Sequence, residues 1–423
     1  MPSPDYFMIG GLLEMNTATN AAVLFFLQLA VILGACAIMR FVMIRIGQAP
    51  VIGEMIAGVL LGPSLLGAFA PETSQWLFPP ESKPTLYAIA SLGLTLYMFI
   101  VGMEFRTELF AKRIFTALSI SLAGIVAPFL LGIFLAIWLQ KEGGFFSASL
   151  STPVASIFIG AALSITAFPM LARIIVENGL SGSLSGTIAL AAGSIDDVVA
   201  WILLAVVLGA VSGNPMVIAL VFVGAILYVA VCLLLIKPLI QFLRARVASE
   251  AELFSLMLLL LALGASFTDL VGLYSVFGAF FLGLVIPRDG LVEQFTAKIG
   301  PLTSAILLPF FFTYSGLNTR IGLLDSLWLW VVCLVVVVLA IMGKLFACYG
   351  AARFSGIPHA DSLTIASLMN ARGLMELILL NIGLQAGIIT PTLFTIMVLM
   401  AVATTLMATP LFRLARKLSA NNC

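Results

Sequence analysis

Long apolar segments follow one another along almost the whole sequence, and this feature limits what the chain can fold into more than any other. A helix needs about 20 apolar residues to cross the hydrocarbon core of a bilayer. Only 9% of the residues are charged, whereas a soluble domain carries about 25% charged residues. The sequence therefore predicts an all-α polytopic membrane protein that lies in a lipid bilayer.

The apolar segments predict about thirteen transmembrane helices in a single domain that covers residues 1–423. The first seven spans are expected near residues 20–40, 50–68, 85–104, 113–139, 153–177, 184–211 and 216–242. The other six are expected near residues 252–269, 272–287, 300–317, 326–353, 360–385 and 390–413. These spans use nearly all of the chain, so no soluble domain of any size is expected.

The distribution of lysine and arginine predicts the orientation, because cytoplasmic loops of membrane proteins carry an excess of both. Loops on one side of the membrane hold only Lys83, Lys141 and Arg320. Loops on the other side hold fifteen basic residues: Arg40, Arg45, Arg106, Lys112, Arg113, Arg173, Lys237, Arg244, Arg246, Arg288, Lys298, Arg353, Arg413, Arg416 and Lys417. We therefore expect the N-terminus outside and the C-terminus in the cytoplasm. The net charge of +1 gives no electrostatic support for a nucleic-acid partner.

Two of the predicted spans carry helix-breaking and polar residues at matching depth. They are Ser164, Thr166 and Pro169 in the fifth span, and Asn370, Arg372, Gly373 and Glu376 in the twelfth. Freed backbone groups are tolerated at this depth only where protein or a water-lined cavity satisfies them. The two spans are seven apart, so the second enters the membrane from the opposite side. Inverted repeats with a pair of crossing broken helices are typical of secondary transporters, and their ion site lies at the crossing.

Three further charges lie within apolar spans: Asp196 and Asp197, in GSIDDVVAW (193–201), and Lys344. Each costs roughly 2.5–3.5 kcal/mol at the centre of a membrane helix, which makes a functional role the default interpretation. Neighbouring helical residues point in different directions, so one aspartate can pair with Lys344 while the other lies in a cavity. Burial disfavours the charged form of a carboxyl group. The cavity carboxylate is therefore expected to bind either a proton or a monovalent cation.

Groups at the two breaks are expected to complete this site. The hydroxyls of Ser164 or Thr166 and exposed carbonyls near Thr166 can coordinate a cation. Ends of the half-helices carry partial charges, which Asn370 and Arg372 are expected to offset in part. Arg372 lies four residues before Glu376 and is close enough to pair with it.

These segments, with others, also resemble a known family. The chain resembles the second branch of the monovalent cation:proton antiporters, which holds the plant cation/proton exchangers and the bacterial glutathione-gated potassium efflux systems. The similar stretches, besides GSIDDVVAW, are QAPVIGEMIAGVLLGPSLLG (48–67), LGLTLYMFIVGME (92–104), ALSITAFPMLARII (162–175), FTDLVGLYSVFGAFFLGLVIP (267–287), PFFFTYSGLNT (309–319) and MNARGLMELILLNIG (369–383). They extend over most of the chain, and their combination is highly specific.

The resemblance implies thirteen helices arranged as a dimer scaffold, near residues 20–104 and 216–317, and a mobile core, near 113–211 and 326–413, that moves like an elevator. It implies a homodimer in a membrane expected to be the bacterial inner membrane. Most relatives continue into a soluble cytosolic regulatory region, whereas this chain ends at ARKLSANNC. Gating by bound nucleotide or glutathione is therefore not expected unless a separate subunit supplies it or the sequence is part of a longer protein.

The resemblance also implies roles for individual residues. Asp197 is implied as the carboxylate that binds the cation and the proton, and Asp196 as the partner of Lys344. Thr166 is implied at the first helix break. Asn370, Arg372 and Gly373 are implied at the second. A paired aspartate motif together with the membrane lysine implies electrogenic exchange.

Three functions remain open at the level of the sequence. The first is exchange of K⁺ or Na⁺ for protons, with a mild preference for K⁺. The second is a potassium efflux pathway gated by a ligand or partner protein. The third is symport of an organic anion with sodium, which needs a roomier polar cavity than this sequence predicts. No cofactor is expected. The sequence also shows no glycine-rich phosphate loop and no nucleophile paired with a base, so an enzyme is not expected.

Overall fold

The computed structural model describes residues 17–104, 113–180, 182–212, 215–246, 249–287 and 290–420. Within these ranges the chain is helical, and the β-structure is limited to one antiparallel bridge between Phe146 and Ile389. The predicted all-α class is therefore confirmed.

The described residues form nineteen α-helices, which we number in chain order. The first nine are α1 (Thr17–Arg45), α2 (Pro50–Leu61), α3 (Leu66–Phe69), α4 (Pro71–Leu77), α5 (Lys83–Glu104), α6 (Ile114–Glu142), α7 (Thr152–Ser164), α8 (Phe168–Glu177) and α9 (Leu184–Ser212). The other ten are α10 (Pro215–Val231), α11 (Lys237–Arg246), α12 (Glu250–Leu270), α13 (Ser275–Val285), α14 (Leu291–Leu302), α15 (Leu308–Leu317), α16 (Leu327–Phe354), α17 (His359–Leu368), α18 (Leu374–Gln385) and α19 (Pro391–Ala420).

The predicted spans all overlap these helices. Nine helical segments of the described ranges are long and apolar enough to cross a membrane, whereas the count of thirteen crossings stays a prediction. The spans predicted at 153–177 and 360–385 are each divided into two shorter helices, α7 with α8 and α17 with α18. These divisions lie where the sequence predicts interruptions.

Two further spans contain a turn of π-helix next to a proline. Cys232–Ile236 joins α10 to α11, whose second residue is Pro238. Thr303–Leu307 joins α14 to α15, whose second residue is Pro309. Proline has no N–H to donate to the carbonyl four residues earlier. The backbone ladder is therefore rearranged locally, although the chain continues in a helical path.

Most close helix contacts fall within two groups, which we name after the predicted scaffold and core, and α9 and α10 make the main contact between the groups. The scaffold group contains α1 to α5 and α10 to α15, with α5 against α13 and α2 between α1 and α15. The core group contains α6 to α9 and α16 to α19, with α6 against α7 and α16, and α17 against α19. The division into scaffold and core, and motion of one group relative to the other, stay predictions.

Glycines permit the close approach of α2 and α15 in the scaffold group. A Cβ atom added to Gly58 would meet the backbone of Phe312, and one added to Gly316 would meet the backbone of Gly58. Small residues allow helix backbones to pack this closely in membranes.

Candidate functional site

The first helix break separates α7 from α8 in the core group. Ile165 and Ala167 have extended backbones, at φ −65° with ψ 131° and φ −83° with ψ 96°. Pro169 is the second residue of α8, where its missing N–H is tolerated, but it cannot donate to the carbonyl of residue 165. The proline therefore favours a new helix start at this point over an uninterrupted span.

The second break separates α17 from α18. α17 ends at Leu368, and Gly373, with φ 157° and ψ −120°, precedes the first residue of α18. Residues other than glycine rarely adopt this backbone conformation. A Cβ atom at Gly373 would also lie 2.9 Å from the Cε of Met170 in α8. Glycine thus ends one half-helix and permits close contact with the other broken helix.

The two breaks cross and contact each other. The N–H of Ala167 donates a hydrogen bond to the carbonyl of Ala371 at 3.1 Å. The hydroxyl of Thr166 lies 3.3 Å from the carbonyl of Met369. Thr166 is wholly buried, and the Ala167 amide freed by the first break is satisfied by protein, as membrane depth requires.

Two buried cations cap the C-terminal end of α7. The guanidinium of Arg372 donates to the carbonyls of Ala162 at 2.7 Å and Leu163 at 2.5 Å. The ammonium of Lys344 donates to the carbonyl of Ser164. These are last-turn carbonyls of α7, which carry the negative end of its dipole. Arg372 therefore offsets a partial charge at the opposite break, as the sequence predicts.

Asp196 and Lys344 form a buried ion pair. Their side chains are wholly buried, and Nζ lies 3.3 Å from Oδ2. Ser121 in α6 donates its hydroxyl to Oδ1 at 2.6 Å, and Thr166 donates to Oδ2. Both oxygens of Asp196 are thus engaged, and its carboxylate, on α9, is held by α6, α16 and the first helix break.

Asp197 has a different environment although it is the next residue. It is 1% exposed, and its Oδ1 lies 3.3 Å from the N–H of Phe168, the first residue of α8. Its Oδ2 accepts no hydrogen bond from the described residues. A helix N-terminus favours negative charge, but a buried oxygen without a donor is costly. This oxygen can therefore take up a proton or a cation.

The side chains of Asn370 and Ser164 differ in whether an oxygen atom remains available to coordinate a cation. Asn370 donates its amide N–H to the carbonyl of Ala366 at 3.1 Å, while its buried Oδ1 accepts no hydrogen bond from the described residues. Ser164 lies with its hydroxyl 2.6 Å from the carbonyl of Gly160 and 3.0 Å from that of Ile125. Its main-chain carbonyl, and not its hydroxyl, contacts the charged cluster.

Two more buried carboxylates are paired with arginines. Arg372 Nη1 lies 3.4 Å from Glu376 Oε1, as the spacing of four residues predicts. Arg40 Nε lies 3.6 Å from Glu54 Oε1 in the scaffold group.

The sequence does not single out Ser121 or Thr405. Thr405 in α19 accepts from the N–H of Arg372 at 3.0 Å and donates to its carbonyl at 2.9 Å, which anchors the second break. A lone hydroxyl in an apolar helix is a weak signal, because it usually bonds its own helix backbone. Thr405 also contacts the carbonyl of Ala401 in this way.

Crossed broken helices with buried carboxylates and cations beside the crossing define a secondary transporter. A sequence model described as "Sodium/hydrogen exchanger, transmembrane" matches residues 14–414. The chain belongs to this family, which confirms the resemblance drawn from the sequence motifs.

Individual relatives extend this finding. The chain is 37% identical over 399 residues to the Na⁺/H⁺ antiporter NhaS4 of Synechocystis, with 93% of this chain and 97% of that protein covered. It is 36% identical over 403 residues to the cation/H⁺ antiporter 17 of Arabidopsis thaliana, covering 94% of this chain and 49% of that protein. It is 31% identical over 425 residues to the K⁺/H⁺ antiporter 1 of Saccharomyces cerevisiae, covering 96% and 48%. The chain thus spans about half the length of the plant and yeast relatives.

A solved structure supports the fold. The sodium proton antiporter MjNhaP1 from Methanocaldococcus jannaschii matches with a TM-score of 0.67 and 17% identity, covering 94% of this chain and 99% of that chain. The family and the apolar helices together make the chain an integral, multi-pass membrane protein.

Proposed function

We propose that the chain exchanges a monovalent cation, K⁺ or Na⁺, for protons, and that Asp197 is the group for which they compete. The observation that carries this proposal is the asymmetry between two adjacent buried aspartates. Both oxygens of Asp196 are held by donors, whereas Asp197 has one oxygen without a donor in the described residues. Family membership and the names of the antiporter relatives support the same activity.

The chemistry of Asp197 follows from its environment. When protonated, the carboxyl group is neutral, so its burial costs little and it attracts no cation. When deprotonated, its charge and its unpaired oxygen favour a cation that has lost part of its hydration shell. Asn370 at the second break also has a buried oxygen that accepts no hydrogen bond from the described residues, and we expect it to act as a further ligand, since broken-helix backbone coordinates ions in other transporters. Occupancy by one ligand excludes the other, and this exclusion couples the two fluxes.

The Asp196–Lys344 pair has a positioning role in this proposal. It neutralises two buried charges and fixes Thr166 and the end of α7 beside Asp197. We propose that the core group then moves against the scaffold group to give alternating access, and that the exchange is electrogenic.

The setting of the protein is proposed on indirect grounds. The lysine and arginine distribution supports an outside N-terminus and a cytoplasmic C-terminus. The bacterial relatives support a bacterial plasma membrane. A homodimer formed through the scaffold group rests on the family resemblance alone.

Reconstitution into liposomes with a trapped pH-sensitive dye tests the proposal. Addition of K⁺ or Na⁺ is expected to dissipate an imposed proton gradient, and the relative responses give the cation preference. Asp197→Asn is expected to abolish the response, whereas Asp325→Asn, at an exposed aspartate outside the site, keeps it. Full exchange by Asp197→Asn would remove Asp197 from the mechanism. Cation flux without proton movement would favour a gated efflux pathway instead.

A further inference from the structure

A cavity lies between the scaffold and core groups, and the charged cluster at the helix crossing does not line it. It has a volume of about 250 Å³. Its polar and aromatic lining comes from both groups: Tyr87, Ser91, Asp269, Tyr274, Ser275, Phe311 and Tyr314 from the scaffold group, and Asn381 and Gln385 from the core group. Neither aspartate of the crossing lines it. What the cavity binds is therefore determined by a different set of side chains from those at the helix crossing.

Asp269 provides a negative charge in this cavity. It lies near the end of α12 and is exposed, and its Oδ1 accepts a hydrogen bond from the N–H of Ser275 at 2.5 Å. The loop between these two residues contains Tyr274, the one non-glycine residue with positive φ in the described ranges, at 63°. This conformation is unusual for a bulky residue. It brings the Tyr274 ring into the same cavity as the carboxylate.

Aromatic rings surround the remaining space. The rings of Tyr87 and Tyr314 have centroids 5.1 Å apart, inclined at 50°. Tyr274 adds a third ring, and no lysine, arginine or histidine is among the described residues that line the cavity. A carboxylate with several aromatic faces is the chemistry that recognises methylated ammonium groups, whose charge is attracted to the rings. Alkali cations, by contrast, are bound in transporters mainly by oxygen ligands.

The surrounding surface favours the approach of a cation. The cavity lies at the end of the bundle that the lysine and arginine distribution predicts to be outside. Described charged residues in the predicted outer loops are Glu72, Glu81, Glu142 and Asp325, against Lys83, Lys141 and Arg320, and Asp269 adds a fifth acidic group at the outer end of its span. An excess of one sign attracts ligands of the opposite sign.

We propose that this cavity binds small organic ammonium cations at the outer mouth of the protein and that occupancy inhibits exchange. Asn381 of the core group already contacts the scaffold group here, with Nδ2 3.3 Å from Ser315 Oγ and Oδ1 3.2 Å from Asn318 Nδ2. A ligand that touches both groups favours the arrangement in which they are adjacent. Inhibition rests on the proposed alternating access, whereas binding does not.

Titration calorimetry of the purified protein with tetramethylammonium chloride tests the binding. Saturable binding is expected, and Asp269→Asn is expected to weaken it at least about tenfold, because the charge is lost. Tyr274→Leu is expected to weaken it about three- to tenfold, whereas Tyr274→Phe, which keeps the ring, binds like the wild type. Asp325→Asn is the matched control. Equal binding by Asp269→Asn, or equal affinity for ammonium chloride, would overturn the site.

Exchange assays with tetramethylammonium outside the liposomes test the inhibition. Cation/proton exchange is expected to fall in the wild type, and to persist in Asp269→Asn at the same concentration. Binding without any inhibition would overturn the coupling between the cavity and transport. Asp197→Asn is expected to bind tetramethylammonium normally, so a failure of the proposed ion site and a failure of this cavity give different results.

Discussion

The buried pair of Asp196 and Lys344 makes a quantitative prediction about stability. Lys344→Met removes the ammonium that lies 3.3 Å from Asp196 and that donates to the carbonyl of Ser164. Removing one partner of a buried ion pair costs about 3–5 kcal/mol, because the other charge stays buried without compensation. The hydroxyls of Ser121 and Thr166 still donate to Asp196, which places the expected loss at the lower end of that range.

A double-mutant cycle separates the pair from its surroundings. Asp196→Asn in the Lys344→Met background removes the aspartate charge that has lost its partner. The free energy of unfolding of the double variant is therefore expected to be about 1–3 kcal/mol higher than the sum of the two single effects predicts. Thermal unfolding in detergent, followed by tryptophan fluorescence, gives the comparison. Lys141→Met, at an exposed lysine, is the control for losing an ammonium. A melting temperature for Lys344→Met equal to that of the wild type, with an additive double variant, would refute the pair.

Three further predictions concern the helix breaks and the packing beside them. Arg372→Leu leaves two carbonyls at the end of α7 without donors. The free energy of unfolding is therefore expected to fall by about 2–4 kcal/mol in the same melting assay, and an unchanged stability would contradict the capping of α7 by Arg372. Gly373→Ala forces alanine into a backbone region that disfavours it, which costs about 1–3 kcal/mol, and normal melting together with normal exchange would show that the break tolerates a side chain. Gly316→Ala places a methyl group against the backbone of Gly58 and is expected to lower the melting temperature. Gly322→Ala is the control, because a methyl group at that position meets no neighbouring atom. Equal effects of the two substitutions would contradict the close packing of α2 and α15.

The broken helices and the main ion pair could be predicted because both have strong local signals. Pro169 and Gly373 disrupt the backbone ladder wherever they occur in a span. A lysine among apolar residues needs a partner of opposite charge at any depth. Asp196 and Asp197 are acidic residues that also lie inside a predicted span, so they are candidates for that partner. Only the family resemblance indicates which of the two aspartates pairs with Lys344, because helical spacing alone allows either.

Other features of the site depend on tertiary contacts that hydropathy does not encode. Ser121 reaches Asp196 only because α6 packs against α9. The carbonyl of Ser164 is free to accept from Lys344 because α7 ends at that residue, while its hydroxyl contacts the carbonyl of Gly160 one turn earlier. The cavity at Asp269 combines residues from four separate parts of the chain, so no single stretch of sequence predicts it.

Competition at Asp197 can be measured without transport. The purified protein is placed in a weakly buffered detergent solution at a pH where Asp197 is partly protonated. Addition of K⁺ or Na⁺ is then expected to release protons, because the cation displaces the proton from Asp197. Asp197→Asn is expected to release none, while Asp325→Asn releases as many as the wild type. Proton release that persists in Asp197→Asn would contradict the assignment of both ligands to this carboxyl group.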